Sequence, residues 1–468
     1  MNKTLPILCA LLASNSLAAK TITLTQADQT NLAITLYTDN LALVQDSRIL
    51  GSITKQDTVV VKGISQQMHP QSLQIQNAGK ITEQTLNREI VTYQGLIKSH
   101  IGKHIVLVKE QKSGDEIRQK VKLLNVSGNT AIVELNESIE SIPLQSNTWR
   151  LVFPSKPADM LLKPSLTFKS QGKNTTNNIQ LNYLSNGLEW RMDYVLELNQ
   201  ARTEMQLKAL ASLFNNTNTY FNKASIKLLA GNISRPNTEK NRSLSAPVAM
   251  AMMAKAGADT NNNAQNMGDL KLYKLPQQAN LKPQQQTQIP LLQANKVPVT
   301  AGYRYHFYVN PYLDSNKIDT HPQTFLSFTN NKKSQLGIPL PTGQARVFNP
   351  DANGDLQFIG ASQLRQSTEN ELIEIATGQA FDVSIKQQQT NYEKTFNGAL
   401  VGIQFIITNS SKQAKTLDLS GSFSHSWEII SSTFPTSEKR SANAQWKIEM
   451  RANSSIVFNL NTRLKTKK

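Results

Sequence analysis

Hydrophobic and polar residues alternate along most of this chain, and the period is two. "TITLT" at 21–25, "LAITLYTDNLALVQDSRIL" at 32–50, "TVVVKGI" and "SLQIQNAG" each place apolar or β-branched residues at every second position. That is the pattern of strands with one face buried and one face wet. In "EWRMDYVLEL", Trp190, Met192, Tyr194 and Leu196 share one face, while Arg191, Asp193, Val195 and Glu197 share the other. In "YRYHFYV", Tyr303, Tyr305 and Phe307 oppose Arg304, His306 and Tyr308 in the same way. No long stretch carries helical periodicity. The pattern predicts an all-β, multi-domain β-sandwich architecture.

Texture divides the chain. Residues 19–94 read as an N-terminal β region. Residues 95–153 break into short strands separated by glycine turns, among them "YQGLIKSHIGKHIVLVKE", and suit a small SH3-like barrel insertion. Residues 154–235 return to longer sandwich strands, and 270–468 read as a C-terminal β-sandwich. Between them, 236–269 is rich in Asn, Ala and Ser and has no aromatic residue before its end. It buries too little apolar surface to offset the entropy of ordering it, and reads as a long disordered loop or linker. Its "VAMAMMAKAGA" at 248–258 is methionine-rich, which suits either a solvated linker or an adaptable docking segment.

The first residues change the compartment. "MNKTLPILCALLASNSLAAK" has a basic start at Lys3, a short apolar run from Leu5 to Ala13, and small residues at Ser16 and Ala18. This is the order of a secretory signal, residues 1–18, with cleavage expected after Ala18. The run is shorter than the ~20 residues that span a bilayer, so no transmembrane segment is expected in the mature chain. The only cysteine, Cys9, lies inside the signal. Mature protein would carry no disulfide and no thiolate chemistry, and would be periplasmic or secreted.

Charge adds a class of partner. Lys and Arg number 50 against 33 Asp and Glu, a net charge of +17. The cations are spread rather than blocked, with "NNKK" at 330–333 and the terminal "RLKTKK" the densest points. The expected partners are an envelope protein or an anionic envelope polymer. No nucleic-acid-binding module is recognisable, and nucleic acid is not expected.

Candidate chemistry is sparse. "NPDANGDLQFIG" at 349–360 resembles a calcium loop, with Asp351, Asn353 and Asp355 at alternating positions. The sixth position, however, is Leu356 where glycine is needed, and the twelfth is Ser362 where a bidentate Glu is needed. Asn353-Gly354 instead predicts a hairpin turn. His100 and His104 are four apart, but the intervening glycine argues against a shared helical face, and they read as surface or strand histidines. His425 has serines on both sides and no acid partner nearby in sequence. Glu369, Glu371 and Glu374 read as a solvated strand face. No nucleotide loop and no nucleophile elbow occurs. No catalytic, metal or cofactor residue is assigned, and no cofactor is expected.

Several segments carry a resemblance. "NLALVQDSRIL", "LNYLSNGLEWRMDYVLEL", "ASIKLLAGNISR", "LGIPLPTGQARVFNPDANGDLQFIGASQL" and "ENELIEIATGQAFDVSIKQQQ" resemble, in this order, the bacterial DUF 4139 proteins, over nearly the whole mature chain. The resemblance implies a β-rich exported protein with a variable insertion and implies no enzyme activity. Trp190, Tyr194, Gly231, Pro339 and Pro341 within those segments read as fold determinants. The function expected is that of a non-catalytic binding or assembly protein of the cell envelope. The alternative is a hydrolase whose site is assembled from loops. An outer-membrane barrel is a third reading, and the irregular strand lengths count against it.

Overall fold

A computed structural model of the chain describes residues 20–54, 57–87, 92–110, 114–145, 149–155, 164–171, 177–231, 233, 264–424 and 426–465. The expected signal segment, most of the expected linker and His425 lie outside the described residues. Nearly every ordered segment is a strand, as the alternation predicts, and the strands assemble into six sheets. No described helix is long and apolar enough to cross a membrane.

Three sheets make the N-terminal two-thirds. A four-stranded sheet runs Thr21–Leu24, Thr58–Lys62, Ser165–Gln171, Lys80–Asn87 in spatial order. A larger sheet runs from Ala264–Met267 through Leu270–Lys274, Phe221–Ala230, Gln29–Leu36, Ala42–Ile49 and Asn178–Ser185 to Gln74–Gln76, with Ala279–Leu281 also paired to Phe221–Ala230. The third runs Gln285–Pro298, Glu204–Asn215, Leu188–Leu198, Gly343–Pro350, Leu356–Leu364. Their inward faces close one core that extends from Leu24 to Ile375 and therefore crosses position 270. The strand Ala264–Met267 is a finding within the stretch expected to be linker: it pairs with Leu270–Lys274 across a turn at Gly268.

The segment 104–152 forms its own five-stranded antiparallel sheet, ordered Ser138–Pro143, Thr130–Leu135, Glu116–Ser127, His104–Glu110, Trp149–Val152. Its core is separate and small. Two outcomes differ from the sequence expectation. The two outer strands do not pair with each other among the described residues, so the ladder does not close into a barrel. And "YQGLIKS" is a helix, Tyr93–Ser99, because Thr92 caps it by accepting from the Gly95 N–H and Ile97 seals it onto the sheet. A seven-residue helix buries too few positions to leave a readable period in the sequence.

The C-terminal third is a sandwich. A six-stranded sheet, ordered Leu372–Gln379, Gln323–Thr329, Thr300–Val309, Lys415–Phe423, Asn443–Met450, Glu438–Lys439, faces a five-stranded sheet ordered Lys317–Thr320, Val383–Thr395, Gly398–Asn409, Ser454–Lys465, Ser426–Ser432. Phe307, Phe405, Trp446 and Phe458 pack between them with ring centroids 4.7 to 5.9 Å apart. The six-stranded sheet serves two cores: Leu326, Phe328, Ile373 and Ile375 belong to the first, and Phe307, Leu417, Leu419 and Trp446 to the second. Its other face is open. That face is where the chain's polar groups converge.

Candidate functional site

The strand Thr300–Val309 positions the site. Tyr305, Phe307 and Val309 point inward, with Tyr305 Oη donating to Gln387 Oε1 at 2.9 Å, so Arg304, His306 and Tyr308 must point out. Opposite Gly302, Phe325 lies flat on the sheet. A Cβ at Gly302 would stand 2.3 Å from the ring edge, so only glycine leaves room for it. The Arg304 guanidinium covers that ring at 4.5 Å and forks onto Glu374, with bonds of 2.9 and 3.1 Å. Both ionic groups are partly exposed, so the pair contributes little to stability and chiefly orients the guanidinium.

His306 sits across the parallel pairing with Lys415–Phe423. Its Nδ1 is 2.9 Å from Ser420 Oγ and its Nε2 is 3.2 Å from Ser422 Oγ. Ser422 donates its own proton to Asn443 Oδ1 at 2.5 Å, so it accepts from Nε2–H, and Nδ1 accepts from Ser420. Tyr308 closes on the imidazole edge-on, with centroids 4.7 Å apart.

Two open cavities meet at Arg304. One, of about 630 Å³, is lined by Arg304, Phe325, Glu374 and Gln323 on the sheet and by Ser362, Gln363, Arg365, Gln366 and Ser367 beyond it. The other, of about 530 Å³, is lined by Arg304, Asp418, Ser420, Ser437, Glu438, Gln445 and Lys447. Together they form a groove running across the strands rather than along them. With strands about 4.8 Å apart, the six-stranded sheet gives it a length of roughly 24 Å. One wall is the Leu356–Leu364 strand, brought down on the sheet at Gly360, where a Cβ would stand 2.4 Å from the Thr377 carbonyl. Arg365 has no partner among the described residues, so its donors are available to a ligand.

The lining is amide, hydroxyl and mixed charge over one aromatic ring. It can hydrogen-bond an extended polar chain along its length. Among the described residues, no three His, Cys, Asp or Glu side chains are grouped to hold a metal. Ser420 and His306 stand in nucleophile–base geometry, but the second imidazole nitrogen meets a hydroxyl and not a carboxylate.

Apart from Glu371 and Glu374, the candidates read from sequence fall elsewhere. Asp351 Oδ1 accepts the Asn353 and Asp355 N–H groups at 2.9 and 3.0 Å, and Gly354 has φ +91°, so this loop is the expected hairpin turn. Those backbone donors hold the Asp351 carboxyl below its usual range. Asp28 and Asp57 are held down in the same way by turn N–H groups. His100 is a correction: it is buried at the end of the short helix, with Nδ1 2.7 Å from the Leu96 carbonyl and its ring against Phe153. His104 opens the next strand, exposed. Glu369 faces Lys332; Glu371 accepts from the Thr368 N–H and lines the first cavity, and Glu374 lines it too and holds Arg304.

Sequence reasoning placed Arg304 and His306 on one face but missed their partners, Ser420 lying 114 residues from His306. The only signal available was "DLSGSF", whose alternation puts Asp418, Ser420 and Ser422 on a shared face. Parallel pairing between these strands is invisible until the sheet forms. No family model matches the chain, and no curated protein matches it.

Proposed function

We propose that this is an exported protein of the bacterial envelope, related to the DUF 4139 proteins, that acts by binding, and that the groove across its six-stranded sheet holds a segment of an envelope polymer. The meeting of the two cavities at Arg304 carries the reading: an open trough of this length suits a chain that enters and leaves at both ends, whereas small ligands favour enclosed, mostly apolar pockets. The groove lining is mixed, with Arg304, Arg365 and Lys447 beside Glu371, Glu374, Asp418 and Glu438. The free guanidinium of Arg365 would take an acidic group of the polymer, and the net charge of +17 of the whole chain would draw an anionic polymer to the protein. Phe325 supports the Arg304 guanidinium from below, and the row of Gln and Ser side chains supplies the hydrogen bonds.

The test is retardation of the protein in native gels cast with purified lipopolysaccharide or soluble acidic wall glycan. Retardation that falls at least about tenfold in R365A, with unchanged thermal stability, supports the reading. Equal retardation of R365A and wild type places binding elsewhere and overturns it.

A second reading rests on one contact. Ser420 lines the groove with its hydroxyl on His306, the arrangement a loop-assembled hydrolase would need. Turnover of a bound polymer that disappears in S420A, with binding retained, would support it.

A further inference from the structure

Large apolar side chains stand exposed in several places on this protein, mostly singly, which is ordinary. At one end of the C-terminal sandwich they gather. Tyr308 is 69 % exposed, Tyr312 69 %, Leu313 72 % and Phe396 93 %. We propose that this end of the sandwich is a membrane-docking tip that seats on the headgroup layer of an anionic bilayer.

Strand pairing brings the four side chains to one end. Tyr308 is the penultimate residue of its strand, opposite Ser422, and Tyr312 and Leu313 follow in the loop 310–316. That loop is tied to the Val383–Thr395 strand: Tyr392 Oη reaches the Pro311 carbonyl at 3.4 Å, and the Asp314 N–H donates to Gln389 Oε1 at 2.7 Å. The same strand ends at the hairpin tip bearing Phe396. Beside that tip, Lys465 pairs with both Gly398 and Ser426. Stacking of Phe423 on Trp427, centroids 4.2 Å apart, ties the two sheets here.

Both sides of the requirement are met. Tyrosine rings with polar tips, a leucine and a phenylalanine held on short turns can enter the headgroup boundary without moving the fold. The charged residues on these loops and strand ends are Lys317, Lys394, Lys439, Arg440, Arg463 and Lys465 against Asp314, Glu393, Glu428 and Glu438, six cations to four anions. Such an excess draws the tip toward anionic lipid. A soluble polymer would use the cations but would leave the apolar side chains idle. Arg304 lies four residues from Tyr308, so a docked tip would hold the groove about 13 Å from the headgroups, running parallel to the membrane. The docking stands independently of what the groove binds.

The test uses the exported, processed chain and sedimentation with vesicles of phosphatidylglycerol and phosphatidylcholine, against vesicles of phosphatidylcholine alone. Binding to the anionic vesicles is expected, reduced about tenfold by Y312S/L313S and by F396S. I139S, which removes an exposed isoleucine from the small five-stranded sheet, should bind as wild type. Circular dichroism confirms that the variants fold. No binding to anionic vesicles overturns the proposal. Binding that salt abolishes but Y312S/L313S and F396S leave unchanged also overturns it, because charge alone would then account for it.

Discussion

Tyr194 Oη donates a 2.6 Å hydrogen bond to the carbonyl of Pro341, 147 residues away in the sequence. Beside it, Tyr273 Oη donates to the Pro339 carbonyl at 3.0 Å, and Trp190 Nε1 to the Leu229 carbonyl at 3.1 Å. The loop "IPLP" cannot offer N–H groups at its prolines, but its carbonyls receive both phenols. Four separated segments that look unlike one another in sequence are therefore locked together. This lock supports the strand from which the hairpin wall of the groove descends.

Y194F should destabilise the protein by about 1–3 kcal/mol, because the ring still fills its space while the Pro341 carbonyl is left buried and unpaired. Urea unfolding checks this. A loss within error of zero would mean that the carbonyl finds another donor.

Alkaline pH should weaken the fold. Burial raises the pKa of Tyr183, Tyr194 and Tyr273, with the Asp46 charge adding to the effect at Tyr183 and Tyr273 at Tyr194. Each phenol keeps its proton in the folded chain past pH ~10, where an unfolded tyrosine loses it. The stability from this difference is whole below pH ~10 and is lost as pH rises toward the folded values, at up to about 1.4 kcal/mol per unit for each group. Unfolding midpoints measured from pH 8 to 11.5 should fall only above pH ~10. Y183F should flatten that slope.

Arg48 should be costly to remove. It is fully buried, bonded to Asp46 through Nε and Nη2 at 3.0 and 2.7 Å, and to the Lys62 carbonyl at 2.7 Å. Thus one guanidinium joins the strand Ala42–Ile49 to the neighbouring sheet. R48A leaves the Asp46 carboxyl buried without its cation, held by Gln29 Nε2 at 2.7 Å, and should cost about 3–5 kcal/mol by chemical denaturation. R48M/D46L should recover part of that loss, since no lone charge remains.

Calcium should do nothing to the 351–355 hairpin. Asp351 Oδ1 is committed to two backbone N–H groups, and its neighbour Asn353 uses its own N–H in that clasp. Thermal melting with millimolar Ca²⁺ and with chelator should coincide. A rise in Tm on adding Ca²⁺ that D351N abolishes would contradict the hairpin reading.

The platform of the groove can be moved without touching its polar groups. G302A places a methyl where the Phe325 ring lies, so the ring and the Arg304 above it must shift. The expected result is a loss of about 1–3 kcal/mol from overpacking and weaker polymer retardation. Retained binding at reduced stability would show that the platform is dispensable.

Strand identity and facing were legible in the sequence, because side chains alternate across a strand whatever its neighbours are. The alternations at 188–198 and 306–309 therefore match the buried and exposed faces found. Turn chemistry was legible at Asn353-Gly354 for a similar reason: positive φ is a local demand that few residues meet. The short helix at Tyr93–Ser99 was not, since one buried residue in seven leaves no period. Strand order was also beyond reach. The strand Leu188–Leu198 pairs in parallel with Gly343–Pro350, and Thr300–Val309 with Lys415–Phe423, across gaps that no local pattern spans. The groove is a product of that order. His306 meets Ser420 only because a parallel register sets them side by side, and Arg304 lies between two cavities only because the hairpin from Gly343 folds back over the sheet at Gly360. Composition and periodicity determined which residues face water; long-range pairing alone decided which of them face one another.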